Sequence, residues 1–136
     1  MTPHDTHIQV PYADVDRMGF VYYANYLVYF EMARSQLLRD WGLPYTKLER
    51  EGVLLPVLEA HVDYRRPAHY EDELIVRTVA CRFEGARLRI EYEVRRGDEH
   101  LAGGHTVHAC MTPEGRPRRP PASLKALMDP PSPAPG

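Results

Sequence analysis

Serine is scarce in this chain and poorly placed for hydrolysis. The 136 residues hold only Ser35, Ser123 and Ser132, none inside a Gly-x-Ser-x-Gly elbow, which excludes a serine esterase of the α/β-hydrolase kind. A Gly-x-Gly-x-x-Gly fingerprint, a Walker loop and a His-Glu-x-x-His pair are missing too. Cysteine is limited to Cys81 and Cys110, far apart and without a Cys-x-x-Cys pair, so reduced thiols in a cytoplasmic setting are expected. No stretch approaches the roughly 18 apolar residues of a membrane span, and Met1 to Gln9 lacks the apolar centre of a secretory leader. Charge is balanced, 17 basic against 19 acidic side chains, so no sequence-wide pull toward nucleic acid or anionic lipid exists. The length suits one domain with one site.

The periodicities that are present predict an α+β domain. His7 to Tyr12 reads as a strand and Asp14 to Gly19 as a polar loop. From Asn25 to Trp41 the residues Leu27, Phe30, Ala33, Leu37, Leu38 and Trp41 recur at helical spacing, with Asn25 as N-cap and Gly42 with Pro44 as the stop. Val28, Tyr29 and Met32 widen that stripe, which predicts a helix wrapped by other elements. A short helical piece follows at Tyr45 to Arg50. Period-two alternation then takes over: Leu58, Ala60, Val62 and Tyr64 in one half-buried strand, Leu88, Ile90, Tyr92 and Val94 in another, with further strands at Leu74–Phe83 and Leu101–Met111. Strand, long helix and four successive strands predict an antiparallel sheet of about five strands curled around one central helix. Residues 1–112 form that domain in this reading. From Pro113 to Gly136 prolines dominate, and an extended or flexible tail is expected.

His105 and His108 look like a metal pair, but an odd separation on a strand points them to opposite faces, so no metal site is expected. The chemistry concentrates instead in Tyr12-Ala13-Asp14-Val15-Asp16-Arg17-Met18-Gly19-Phe20-Val21-Tyr22-Tyr23-Ala24-Asn25-Tyr26. Two carboxylates and a glycine precede the start of the long helix, whose first N–H groups lack internal partners and whose dipole favours negative charge. A carboxylate there can attack a carbonyl or activate water while the helix N–H groups hold the developing oxyanion. Thioesters fit, because a thiolate leaves readily. The same two acids also suit a plain turn, bonding loop N–H groups.

The run from Asp14 to Tyr26, continued by Phe30-Glu31-Met32-Ala33-Arg34 and later by Asp63-Tyr64-Arg65-Arg66-Pro67-Ala68, resembles the 4-hydroxybenzoyl-CoA thioesterase family of hot-dog proteins. The likeness extends from about His7 to Met111. It implies a hot-dog fold and acyl-CoA hydrolysis, with Asp16 as nucleophile or general base and the backbone N–H of Tyr23 polarising the carbonyl. It further implies that Gly19 lets the loop turn and that Asn25 helps to fix it. Many relatives carry histidine where Tyr23 stands, so an imidazole role does not transfer, whereas a backbone role does. Glu31 belongs to the likeness as well, and a structural hydrogen bond is expected of it, since Asp16 already supplies the acid.

For the phosphates of coenzyme A the candidates are Arg65 and Arg66, at one strand end, and Arg82, Arg87 and Arg89, around the next hairpin, because guanidinium binds phosphate bidentately. No cofactor is expected, CoA being part of the substrate. A homo-oligomer, dimer or tetramer, is expected, since one curled sheet leaves edges and a face open. Two other readings stay open: a hot-dog hydratase or dehydratase, disfavoured by the lack of a histidine near Asp16 in sequence, and a non-catalytic acyl-CoA binding module.

Overall fold

The structure, a computed structural model, describes residues 2–130. Strand β1 (His4–Gln9) is followed by a short 3-10 turn at Tyr12–Asp14, helix α1 (Asn25–Asp40) and helix α2 (Tyr45–Arg50). Strands β2 (Val57–Tyr64), β3 (Glu73–Glu84), β4 (Arg87–Arg96) and β5 (Glu99–His108) come next, then helix α3 (Ala122–Met128). The five strands make one antiparallel sheet in the order β1-β3-β4-β5-β2, so β1 and β2 are its edges. The curled sheet carries α1 on one face, the hot-dog arrangement. No helix among the described residues is long and apolar enough to cross a membrane.

Strand β1 lies a little earlier than the alternation of His7 to Tyr12 suggests. It pairs with β3 from His4 opposite Thr78 to Gln9 opposite Glu73. Pro11, with no N–H to give a ladder, then turns the chain into the 3-10 segment.

Helix α1 buries Tyr26, Tyr29, Phe30, Ala33, Leu37 and Leu38 against the sheet, each large side chain contributing roughly 1.5–3 kcal/mol by leaving water. Phe30 stacks on Tyr92 of β4 at 4.3 Å and 5°. Gly104 makes room for this contact: a Cβ there would lie 3.0 Å from the Phe30 ring and collide with the His61 carbonyl. The expected wrapping is one-sided, because Leu27, Val28 and Met32 stay exposed. Asn25 is not the cap. Ala24 takes that place, and Asn25 begins the helix with its side chain turned back to the preceding loop.

Two expectations are corrected by burial. Strand β2 is not half-buried: Val57, Leu58 and Tyr64 are exposed and only Val62 is partly covered, since β5 is its single neighbour. The stretch after Pro113 is not a loose tail as far as it is described. Met111 bridges Pro117, the Arg118 N–H donates to Cys110 O at 3.0 Å, and α3 buries Leu124 and Met128 in the main core. The Phe83 N–H, on β3, donates to Asp129 Oδ2 at 2.8 Å. Residues 131–136, the rest of the expected tail, lie outside the described residues.

His108 is buried and His105 sits on the outer face, stacked on His61 at 5.4 Å. Around His108 the hydrogen bonds fix every proton. The Leu55 carbonyl, 3.0 Å from Nδ1, can only accept, so Nδ1 donates and Nε2 accepts from Thr106 at 2.8 Å, leaving Tyr92 OH to donate to Thr106 Oγ1 at 2.8 Å. Burial pushes the His108 pKa down to about 4.

Candidate active site

A cleft of about 380 Å³ opens where the loop before α1 meets the end of β2. Its walls carry Asp16, Met18, Phe20, Tyr23, Tyr26 and Tyr64, with Val21, Arg65, Arg66 and Pro67 completing them. The loop 14–22 doubles back on itself, with Val15 bridged to Val21 and the Asp16 N–H donating to Phe20 O at 2.8 Å. Gly19, at φ +81°, makes the reversal, in a region that side chains rarely adopt. Residues 66–70 hold the loop from outside: the Val21 N–H donates to Ala68 O at 2.8 Å, and Phe20 bridges His69.

Asp16 is half-buried. Its Oδ1 accepts from the Met18 N–H at 2.9 Å and from the Phe20 N–H at 3.3 Å, while Oδ2 accepts nothing among the described residues. One oxygen therefore anchors the carboxylate in its turn and leaves the other unengaged. Across the cleft, the first turn of α1 is closed by the Asn25 N–H donating to Tyr22 O at 2.9 Å and the Tyr26 N–H to Tyr23 O at 3.4 Å. The Tyr23 N–H has no acceptor among the described residues. Tyr64 straps β2 to this turn, its hydroxyl donating to Tyr23 O at 2.7 Å and its ring edge-on to Tyr26 at 5.1 Å.

Asp14 is used differently. Its Oδ2 accepts from the Tyr29 hydroxyl at 2.8 Å, and its carbonyl accepts from Asn25 Nδ2 at 3.0 Å and from the Tyr22 N–H at 2.8 Å. Burial first, and then the bond to Asp14, push the Tyr29 pKa well above the usual tyrosine value.

The arginines divide. Arg65 and Arg66 line the cleft, but Arg66 is paired with Glu99 at 2.7 Å, whereas the Arg65 guanidinium has no carboxylate partner among the described residues. Arg82, Arg87 and Arg89 sit on the β3–β4 hairpin and none lines the cleft. Arg82 pairs with Glu84 and Arg89 with Glu91. Glu31 lies elsewhere again, exposed in a groove beside β1, and makes no side-chain hydrogen bond among the described residues, contrary to expectation. Tyr29 and Tyr64 were not legible as site residues. The one reads as core stripe and the other as strand alternation, although Tyr64 stands within the Asp63–Ala68 run that carries the family likeness.

Residues 10–130 match the Thioesterase-like superfamily. YneP of Bacillus subtilis, provisionally named an acyl-CoA thioesterase, is 39% identical over 108 residues, covering 79% of this chain and 78% of its own. A hypothetical protein from Thermus thermophilus superposes with a TM-score of 0.86 at 36% identity, covering 92% of this chain and 96% of that one. A 1,4-dihydroxy-2-naphthoyl-CoA thioesterase from Synechocystis gives a TM-score of 0.86 at 26% identity, with 93% and 96% covered. By sequence and by fold, the chain belongs to the Thioesterase-like superfamily as a hot-dog thioester hydrolase.

Proposed function

We propose that the protein hydrolyses acyl-CoA thioesters to the free acid and CoA, with Asp16 as the catalytic carboxylate and the Tyr23 N–H as the donor to the developing oxyanion. The observation that carries this reading is the pairing, in one cleft, of a carboxylate oxygen and an N–H just before α1 that both lack a partner among the described residues. Asp16 Oδ2 either attacks the thioester carbon, forming an anhydride that water then opens, or takes a proton from the attacking water. In both routes the carbonyl oxygen gathers charge that the Tyr23 N–H and the helix dipole offset. The C–S bond breaks, CoA leaves as thiolate and takes up a proton. Nothing in this scheme calls for a cofactor beyond the substrate.

Arg65 is the first candidate for a CoA phosphate, being at the cleft and without a carboxylate partner among the described residues. Arg66 ranks behind it because Glu99 competes for its charge. A second copy laid along the exposed edge of β2 would pair its free N–H and C=O groups, cover Val57, Leu58 and Tyr64, and wall the cleft from the open side. Light scattering at micromolar concentration reads this directly, a 15.6 kDa species counting against it. The two free, buried thiols suit a reducing, cytoplasmic compartment.

Thiol release from a panel of acyl-CoAs, followed with a thiol-reactive dye, tests the activity. Hydrolysis predicts stoichiometric CoA and free acid. Hydration of an enoyl-CoA with no thiol released would favour the hydratase reading, and binding without turnover would favour a binding module.

A further inference from the structure

We infer that Asp14 and the buried hydroxyl of Tyr29 form a positioning clamp that sets the separation between the Asp16 carboxylate and the Tyr23 N–H. The inference rests on the thioesterase reading of the cleft given above and adds two residues to it, neither of which touches substrate. Asp14 lies where the two legs of the loop meet. The leg leading to Asp16 leaves it directly. The returning leg is tied to its carbonyl through the Tyr22 N–H at 2.8 Å and Asn25 Nδ2 at 3.0 Å. Tyr22 O, in the same peptide plane as the Tyr23 N–H, accepts from the Asn25 N–H at 2.9 Å. The orientation of that N–H is thus set by two residues, Tyr22 and Asn25, that are both tied to Asp14.

What keeps Asp14 itself in place is Tyr29, one turn into α1 and 1% exposed, whose hydroxyl donates to Oδ2 at 2.8 Å. The Tyr29 ring is packed in the core beside Tyr26, so the anchor is as stiff as the helix–sheet contact. Ala68 and His69 hold the returning leg at Val21 and Phe20, and the core hydroxyl of Tyr29 pins the other end, at Asp14, where the two legs meet. Reactions that depend on two groups acting on one carbonyl lose rate steeply when their spacing drifts by a fraction of an ångström. Because Tyr29 keeps its proton well beyond neutral pH, the bond persists over the working range.

Steady-state kinetics on wild type, Tyr29→Phe, Asp16→Asn and the double variant, with melting curves for each, test the clamp. The expected result is a kcat lowered roughly tenfold or more in Tyr29→Phe, with KM for the acyl-CoA changed less than about twofold because binding groups are untouched. In the Asp16→Asn background the same change should cost little further rate, since the spacing matters only when both ends act. Wild-type kcat in Tyr29→Phe, or an equal loss in both backgrounds, overturns the inference. If Asp16→Asn itself keeps wild-type turnover, the assignment of Asp16 as the catalytic carboxylate, on which the clamp rests, fails. If Asp16→Asn collapses while Tyr29→Phe does not, only the clamp fails. Should Tyr29→Phe not fold, Asp14→Ala and Asp14→Asn replace it: the clamp predicts loss in the first and partial recovery in the second, which keeps an acceptor for Tyr29. Equal kcat in those two overturns it.

Discussion

Asp16 and Asp14 are two residues apart in one loop, yet Asp16 keeps one oxygen free at the cleft while Asp14 is held by Tyr29 from within the core. That division was only partly legible in the sequence. Two acids before a glycine and a helix start mark the place, and the family likeness picks out the second. Which of them is tied down depends on Tyr29, fifteen residues further on, whose hydroxyl meets Asp14 only after α1 docks. Asn25 falls inside the helix and does not cap it, because Ala24 already has helical dihedrals, φ −68° and ψ −22°. The arginines show how local context sorts chemically equal side chains, because among the described residues only Arg65 combines the cleft with the lack of a carboxylate neighbour. Arg65→Ala should raise KM for acyl-CoA roughly fivefold, the upper range for an exposed ionic contact, and leave kcat within about twofold. The same substitution at Arg87, which does not line the cleft, should change neither. A KM unchanged in Arg65→Ala would remove it from the site.

The elements follow the hydrophobic periods closely, and the departures come from forces the periods do not encode. Strand β2 alternates like its neighbours, but alternation reports which side chains can be buried, not whether anything covers them. At the sheet edge, with only β5 beside it, little among the described residues does beyond the partial cover of Val62. In the C-terminal stretch the prolines mask a short amphipathic signal, Leu124, Leu127 and Met128 at helical spacing behind Pro121, whose extended backbone, φ −57° and ψ 148°, leads into the helix and whose missing N–H costs nothing there. Helix α3 then covers β3 and fills the core. Truncation after Pro121 removes the buried Leu124 and Met128 along with the Asp129 bond to Phe83. It should cost about 3–6 kcal/mol, two buried side chains at their usual worth, and lower the melting temperature by more than about ten degrees. A truncated chain melting within a few degrees of the full one would show that α3 does not hold the core.

At the scale of the molecule, stability should depend on pH through the polar chain inside the sheet. His108 has a pKa of about 4 in the folded protein against 6.5 unfolded, because burial disfavours the charged imidazole. Between those values the unfolded chain binds the proton and the folded one does not, so stability is fully present above about pH 6.5 and is lost as pH falls toward 4. Between pH 6.5 and 5 the loss should be about 2 kcal/mol. Urea unfolding at several pH values reads it. His108→Gln, which can still donate to Leu55 and accept from Thr106, should flatten the dependence, and an unchanged slope in that variant would assign the effect elsewhere.

The role proposed for the Asp16 carboxylate is to turn over thioesters in this hot-dog chain. Its most direct test is kcat of Asp16→Asn with the acyl-CoA that wild type hydrolyses fastest. Asparagine keeps the shape and an acceptor for the Met18 and Phe20 N–H groups, so the fold and substrate affinity should persist while the negative charge is gone. The expected kcat is lower by about 10²- to 10⁴-fold, the range for losing a general base, or by more if Asp16 is the nucleophile, with little change in KM. A variant that keeps more than about a tenth of wild-type kcat, well inside the smallest general-base effect, would contradict it.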